Sequence, residues 1–376
     1  MSSVESSNRS LSKWRRSMGA AILCVLSGTA PALVFGQSQP LLLRAPACTA
    51  CRIEVARLFT LDDGPDKANS LEDWPFSVAM DSHGRIALAI RGGKGLAVLY
   101  DSLGRSPRRI GRFGSGPNEY RGPVTVAFDA GDTLNVFDLD LARRTQLIGN
   151  AQLVRSTPYI GRSALLRMLP NNDVLAVSGT RFYLYSQAGS LIRHWGQAFA
   201  PATPGGTRLP TRYISNVVAN QFWSVNSETY ELEHWSLNGT RLAHVKRVAD
   251  WFDSSQPFSN GMRGEEPSAF VADLHLDRDA RRLWVLLNVP SKNWRNGLGP
   301  VDTKRGFTSY PNADFGLMYE SFVEVIDVGT RKLLQSTRVP AYLQFFVSDS
   351  RLAALRHSED GSPVVELWRV GFKPIP

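Results

Sequence analysis

The sequence predicts an all-β chain built from repeated four-stranded units, and three observations support this fold class. From Pro75 onward, apolar and polar residues alternate with a period of two in short runs separated by turn residues, and no stretch carries a sustained helical stripe. Similar units return at intervals of roughly 40 to 70 residues. Hydrophobic residues make up 43% of the 376 positions and charged residues 20%, which gives enough apolar material for a core and excludes a disordered or coiled-coil chain.

The clearest unit is PFSVAMDSHGRIALAIRGGKGLAVLYDSLGRSPRRIG, in which His83-Gly84 and Leu103-Gly104 mark two of the turns between four strands. Five further units match it less closely. A ring of such sheets buries both faces of each one, which explains runs that are apolar on both sides, such as RLWVLLNV. A two-sheet sandwich does not explain six similar units. We therefore predict a six-bladed β-propeller of four-stranded antiparallel blades, with first strands that begin near Phe76, Val124, Ala164, Ile214, Ala269 and Tyr342.

The sixth blade needs one strand from the N-terminal side of the sequence. The last unit, Ala341 to Val370, has few residues for a fourth strand, whereas RIEVARLFTL (52–61) is strand-like and belongs to no unit beside it. We predict that this N-terminal strand completes the sixth blade and closes the ring. Residues 52–376 then form one propeller, preceded by an N-terminal segment over 37–51.

Residues 1–36 have the outline of a signal peptide. Four basic side chains in residues 9–16 precede an apolar run over 18–35, and the chain then turns polar. A membrane anchor is the alternative, but small residues and a proline interrupt this run, which barely reaches the roughly 18 residues needed to cross hydrocarbon. We predict cleavage after Ala32 or Gly36, and a mature protein that is exported, monomeric and not integral to the membrane.

Part of the basic character belongs to this leader. The formal net charge is +9, and removal of residues 1–36 lowers it to about +6. The remaining arginines are scattered through turns, and no DNA- or RNA-binding motif accompanies them. We therefore expect no nucleic-acid partner.

Cys48 and Cys51 form a CxxC pair in ACTACR. A metal site normally needs a second pair or histidines at ligand spacing, and a redox motif needs a strand before it and a helix after it. Neither pattern is visible, and export favours oxidation. We predict a local disulfide that braces the closing strand, with free or redox-active thiols and a metal site as alternatives.

One segment resembles a known family. GRFGSGPNEYRGP, from Gly111 to Pro123, resembles the G-R-x-G-x-G-P-x-E-[YF]-x-x-P signature of exported bacterial six-bladed propellers that are NHL-repeat-like or TolB-like. Asn118 stands where glycine is usual. The resemblance implies the propeller fold and a periplasmic or extracellular location in a bacterium, and it implies no particular activity.

Within this motif the structural interpretation is preferred. Its glycines permit positive φ, Pro117 fixes a turn, and the Glu119 carboxylate can accept backbone N–H bonds. A catalytic role for Glu119 is the alternative, although no other residue lies at a spacing that indicates a catalytic partner.

Candidate binding residues lie on one face of the predicted ring. Because each hairpin reverses the chain, the connection between second and third strands and the connection to the next blade emerge on the same side. These are the long loops, and long loops on a rigid scaffold usually carry binding chemistry. They combine aromatic rings with arginines, which suits sugars, peptides or anionic groups, although packing and solvated turns also explain each residue singly. The candidates are Glu119, Tyr120, Arg121, Arg212, Tyr213, Trp251, Arg263, Trp294, Arg295 and Tyr310.

Metal chemistry has weaker support. The six histidines occur singly, without HxH or HExxH spacing. Ligands from separate blades can still converge on a central channel, as in lactonase and lyase propellers, and Asn216, Asp273 and His275 lie near first strands. Calcium or zinc belongs only to this alternative, and we otherwise predict no cofactor.

The preferred function is an exported binding module at the cell envelope for a ligand or a protein partner, such as a glycan, a peptide or an envelope protein. The alternatives are a metal-dependent lyase or lactonase at the central channel and a structural assembly platform. An aromatic-lined groove favours glycan or peptide binding, convergent polar side chains favour the enzyme, and a flat apolar patch favours assembly.

Overall fold

A computed structural model describes residues 39–61, 71, 74–90, 96–149, 151–159, 161, 163, 165–196, 212–253, 258–261, 263–279, 281–303, 310, 313–358 and 361–374. The predicted signal peptide over residues 1–36 lies outside the described residues.

The described residues form six blade sheets, each with four antiparallel strands. Two strands come first, β1 (Leu41–Leu43) and β2 (Cys51–Thr60). The first blade contains β3 (Pro75–Met80), β4 (Ile86–Ile90), β5 (Leu96–Tyr100) and β6 (Arg108–Ile110). A short parallel pair follows, β7 (Arg112–Phe113) and β8 (Glu119–Tyr120). The second blade contains β9 (Pro123–Phe128), β10 (Leu134–Asp138), β11 (Arg143–Ile148) and β12 (Gln152–Pro158).

The third blade contains β13 (Leu165–Met168), β14 (Val174–Ser178), β15 (Arg181–Tyr185) and β16 (Leu191–Trp195). The fourth contains β17 (Arg212–Ile214), β18 (Gln221–Asn226), β19 (Glu231–Ser236) and β20 (Arg241–Arg247). The fifth contains β21 (Phe270–Leu276), β22 (Arg282–Pro290), β23 (Tyr319–Asp327) and β24 (Lys332–Val339), with a 3-10 helix (Trp294–Gly297) and helix α1 (Phe315–Met318) between β22 and β23. The sixth contains β25 (Leu343–Ser348), β26 (Arg351–His357), β27 (Pro363–Pro374) and β2.

The innermost strands close a ring. Strands β3, β9, β13, β17, β21 and β25 each contact the next, and β25 contacts β3. The predicted six-bladed propeller is confirmed, and each predicted first-strand start lies within two residues of the observed one.

Hairpin turns recur because a short sequence pattern recurs. In DSHGR and DSLGR, the carboxylates of Asp81 and Asp101 each accept two backbone N–H bonds, at 2.7–3.0 Å. Gly84 and Gly104 adopt φ of +84° and +72°, a region that disfavours a side chain. The pattern therefore fixes the turn and aligns the strands that flank it.

Packing between blades explains strands that are apolar on both sides. Every residue from Leu283 to Val289 in β22 is buried. Leu283 and Val285 pack with residues of the fourth blade, whereas Trp284 and Leu286 pack with residues of the sixth. Each large side chain buried in this way contributes about 1.5–3 kcal/mol.

The sixth blade joins the two ends of the chain. Strand β2 pairs antiparallel with β27, from Cys51 opposite Pro374 to Thr60 opposite Glu366. Three strands of this blade come from residues 343–374 and the outermost from the N-terminal side. The predicted closing strand is confirmed.

The N-terminal arm, residues 41–60, covers more than one blade. Strand β1 pairs in parallel with β20 and makes the fourth blade five-stranded. The backbone N–H groups of Ala47 and Cys48 then donate to Leu333 and Leu334 of β24, at 2.8 and 3.2 Å. The arm thus follows the outer edges of the fourth, fifth and sixth blades. The predicted disulfide between Cys48 and Cys51 is confirmed, and it lies where the arm passes from β24 to β2.

A buried ion pair joins the fourth and fifth blades. Glu324 lies 2.9 Å from the Arg247 guanidinium, and their side chains are 0% and 4% exposed. The Tyr230 hydroxyl donates to the same carboxylate at 2.6 Å, and Arg247 donates to the Arg44 carbonyl of the arm at 2.7 Å. Because both charged groups have hydrogen-bond partners, these bonds offset the free-energy cost of burying them.

Closure of the ring depends on strand pairing more than on the disulfide. The Cys48–Cys51 bond closes a loop of sequence separation 3, which limits its contribution to about 2 kcal/mol in a chain-entropy treatment. We expect Cys48→Ser/Cys51→Ser to lower the melting temperature by a few degrees, and deletion of residues 37–60 from the mature chain to abolish cooperative melting. Calorimetry checks both, and equal effects of the two changes would contradict this account.

Removal of Glu324 leaves a buried guanidinium without its counter-ion. We expect Glu324→Ala to lower the free energy of unfolding by about 3–5 kcal/mol, and Arg247→Met/Glu324→Leu to restore part of the loss. Urea denaturation of both variants checks this. A double variant that is no more stable than Glu324→Ala would show that the unpaired Arg247 guanidinium does not cause the loss of stability.

Candidate functional site

The GPNEY loop connects the first and second blades and is held by its own carboxylate. Glu119 accepts the Gly116 backbone N–H at 2.7 Å and lies 2.7 Å from the Arg112 guanidinium. The Gly116 bond, followed by the bond from Arg112, holds the pKa of Glu119 below its ordinary value. The arrangement is the one expected of a loop anchor.

The neighbours of Glu119 also serve the loop. Tyr120 is fully buried, and burial raises its pKa to about 12. The close approach of its ring explains Gly111, where an added Cβ would lie 2.4 Å from the ring. Arg121 has an exposed side chain, and its backbone N–H donates to Asp138 at 2.7 Å. Tyr120 therefore lies in the core, and its ring is not presented on the face predicted to bind.

The polar candidates near the central channel bond to the propeller itself. Asp273 is buried, pairs with Arg167 of the third blade at 2.7 Å and accepts the Phe346 N–H of the sixth at 2.8 Å. Burial raises the pKa of Asp273, and Arg167 opposes this effect. The Asn216 amide exchanges two hydrogen bonds with the Leu276 backbone, at 2.7 and 2.8 Å.

His275, the third weak metal candidate, lies 2.7 Å from the Asp349 carboxylate and stacks on Phe346 at 5.5 Å. Its hydrogen bond is the main cause of a lowered pKa at Asp349. Asn216, Asp273 and His275 therefore link neighbouring blades, and Asp273 also links the fifth blade to the third.

A different cluster lies on the face opposite the loop-rich face, in the turns between the first and second strands of two blades. Ligand atoms of Asp81, His83 and Asp132 lie within 4.8 Å of one another. Asp81 is 2.5 Å from the Arg85 guanidinium, and Asp132 accepts from Ser82 at 2.5 Å. These bonds account for the cluster as a link between the first two blades.

Three other candidates contribute to packing. Arg212 is buried against Glu233 at 3.0 Å and lies 4.7 Å from the centre of the Phe182 ring, and burial lowers its pKa to about 10. Trp294 is buried within the insertion of the fifth blade, and the exposed Arg295 lies 4.4 Å from the centre of its ring.

The loop-rich face carries a pocket at the mouth of the fourth, fifth and sixth blades. Its volume is about 220 Å³ and six aromatic rings line it; we call it the aromatic pocket. The lining residues are Tyr213, Ser227, Glu228, Phe258, Asn260, Phe270, Phe315, Tyr319 and Tyr342. They come from β17, β21 and β23, from α1 and from loops beside them. The shape of the pocket therefore depends on how the strands of the fourth and fifth blades are placed and on where the sixth blade begins.

Five of the six rings contact one another in a continuous series. Phe270 meets Phe258 edge-on at 6.0 Å and Tyr319 edge-on at 5.4 Å, and Tyr319 stacks with Tyr342 at 5.7 Å. Phe315 of α1 lies 6.2 Å from Tyr319. Burial raises the pKa of Tyr342, so its hydroxyl stays protonated at neutral pH.

Local backbone geometry holds the walls together. Gly261 has φ of +76°, and an added Cβ would lie 2.6 Å from Met318 of α1. Gly264 has φ of +87° and meets the ring of Tyr310, which packs on the hydrophobic cluster of the insertion. Asp314 caps α1 by accepting the Gly316 N–H at 2.8 Å. The loop before β21 and the insertion of the fifth blade therefore support each other.

An open groove of about 930 Å³ adjoins the pocket and shares Phe258 with it. We call it the outer groove. Trp251 lines it and stacks on Phe322 at 4.4 Å, with 5° between the rings. Arg263 also lines it, beside acidic residues of the same loop.

Of the candidates predicted from the sequence, Tyr213 lines the pocket, and Trp251 and Arg263 line the outer groove. Five pocket residues were not among the candidates: Phe258, Phe270, Phe315, Tyr319 and Tyr342. Phe258, Phe315 and Tyr319 lie inside two of the long loops that were predicted to carry function, residues 248–268 and 289–320, and this position was the available signal. Phe270 and Tyr342 begin or precede strands and look like core residues in the sequence.

The fold and this site define a six-bladed propeller with an aromatic pocket at one face. The chain is similar in structure to a member of the DUF4221 family from Bacteroides vulgatus, with a TM-score of 0.54, 11% identity, and coverage of 86% of this chain and 99% of that one. This likeness supports the fold alone. Weaker likenesses are to virginiamycin B lyase from Staphylococcus aureus (TM-score 0.42, 9% identity, 84% and 99% covered) and to the Pan2 WD40 domain of Neurospora crassa (0.43, 9%, 81% and 90%).

No family model and no curated protein matches the chain. Membership of the NHL-repeat-like group and export therefore stay predictions. In the part of the chain that the structure describes, no helix has the length and apolar character needed to cross a membrane.

The lowered pKa of Glu119 predicts a pH dependence of stability. A carboxyl with a lowered folded-state pKa stabilises the fold above its unfolded pKa, and the contribution disappears as pH falls through the folded value. We expect Glu119→Gln to melt below the wild type at pH 7, with a gap that narrows below pH 4.5. Melting curves from pH 7 to pH 2.5 measure the gap, and a constant gap would contradict an ionic role for this carboxylate.

Proposed function

We propose that this chain is an exported binding module of the bacterial cell envelope, and that its ligand enters the aromatic pocket on the loop-rich face. The observation that carries this proposal is the convergence of six aromatic rings on one pocket of about 220 Å³. Aromatic side chains with a few polar groups are typical of ligand pockets. The ligand is a glycan or a peptide, both of which present apolar surface for contact with rings.

The polar residues near the central channel give further support for binding at the aromatic pocket. Asn216, Asp273 and Arg167 near the channel bond to other blades, so their polar atoms serve the scaffold. The pocket, by contrast, lies where loops of two blades and an insertion meet, and rigid strands hold its base. This contrast supports binding at the pocket over a reaction at the channel.

Glycan and peptide arrays test the proposal. We expect the mature protein to bind a defined subset of one array, and Tyr213→Ala and Phe315→Ala to reduce that signal at least about tenfold, because each removes a ring from the pocket. Phe113→Ala is the matched control, since this ring is 61% exposed on the same face but belongs to the GPNEY loop.

The measurement is array signal confirmed by titration calorimetry, with circular dichroism to show that each variant is folded. Binding that survives both pocket substitutions, or no binding to either array, would overturn the proposal.

A further inference from the structure

We propose that the group held in the aromatic pocket is an alkylated ammonium cation, such as a trimethylammonium group or a methylated lysine side chain. This inference rests on the proposed function, because it names the ligand chemistry of the same pocket. Three features support it: the rings, the sign of the lining charge, and the size of the cavity.

The rings supply the attraction. The face of an aromatic ring carries negative electrostatic potential, so a cation that lies near several rings is attracted by each of them. Phe258, Phe270 and Phe315 offer rings without a hydroxyl, and Tyr213 adds a fourth, half-buried ring. A quaternary ammonium suits such walls because it carries charge without N–H donors that need partners.

The charge of the lining has one sign. Among the lining residues that the structure describes, Glu228 is the only ionisable acid or base other than the tyrosines, and none is a lysine or an arginine. This is notable in a chain with a formal charge of +9. The nearest arginine in sequence to Tyr213, Arg212, directs its guanidinium to Glu233 at 3.0 Å. The pocket is thus a weakly negative site in a basic protein.

The volume of the cavity indicates that it holds one chemical group of a ligand and not the whole ligand. Pockets for drug-sized molecules occupy about 300–1,000 Å³, whereas this one occupies about 220 Å³. The outer groove continues from Phe258, so the remainder of a longer ligand has a place to lie. Within the proposed glycan or peptide, the part held in the pocket is therefore a cationic group and not a bare sugar ring, whose hydroxyls would lie unmet against phenylalanines at a cost in free energy.

A pair of isosteric probes tests the charge directly. Choline and 3,3-dimethylbutan-1-ol have the same shape, but only choline is charged. We expect titration calorimetry on the full mature protein to give choline an affinity about tenfold higher than the neutral alcohol, a difference that high salt reduces. Equal affinities, or no choline binding at tens of millimolar, would overturn the inference.

Two substitutions separate charge from packing. We expect Glu228→Gln to lower choline affinity several-fold and leave the alcohol unchanged, and Phe315→Leu to lower choline affinity while the fold is kept. Glu231→Gln is the matched control, because this carboxylate lies on the same blade, pairs with Lys246 at 3.2 Å and does not line the pocket. A loss of choline binding in Glu231→Gln equal to that in Glu228→Gln would contradict a local charge effect.

The two proposals fail in different ways. An array ligand that depends on Phe315 but lacks a cation, together with absent choline binding, would leave the binding module standing and overturn the cation. Absence of both array binding and choline binding would overturn both.

Discussion

The pairing of β2 with β27 is the constraint on which the molecule depends. It joins residues 51–60 to residues 366–374 and supplies the outermost strand of the sixth blade. A propeller is stable only when each blade packs against two neighbours, so an incomplete sixth blade exposes the fifth and the first as well. The aromatic pocket lies at the mouth of the fourth, fifth and sixth blades, and its geometry is therefore set by contacts made at the two ends of the chain.

The asymmetry of the ring explains where a site can form. The hairpin turns of the first two blades are short and are closed by their own side chains, as at Asp81 and Asp138. The fifth blade instead carries an insertion between β22 and β23, which packs its own cluster around Trp294 and Met318. This cluster packs the described part of the insertion into a wall of the pocket, and packing of this kind holds aromatic side chains in place before a ligand arrives.

The fold was predictable because it repeats. Alternation, DSHGR-type turns and the shortage of residues in the last unit were enough to predict six blades and the closing strand. Strand β1 was not predictable, since three residues carry no periodicity and their partner lies some 200 positions away. The pocket was only partly predictable, because Phe270 and Tyr342 look like core residues until the blades are placed side by side. Conversely, Tyr120, Arg212 and Trp294 have binding-type side chains in loop-flanking positions, and only the structure places them inside.

The N-terminal arm has a consequence for how copies of this protein meet one another. It adds β1 to the outer edge of the fourth blade, bonds to the outer edge of the fifth and supplies the outermost strand of the sixth, whereas β6, β12 and β16 end the sheets of the first three blades in the part of the chain that the structure describes. An open strand edge is a template for pairing with another chain. Each of these three edges bears an exposed arginine, Arg108, Arg155 or Arg193. Like charges on facing edges repel, so the three arginines oppose edge-to-edge pairing between copies of this chain.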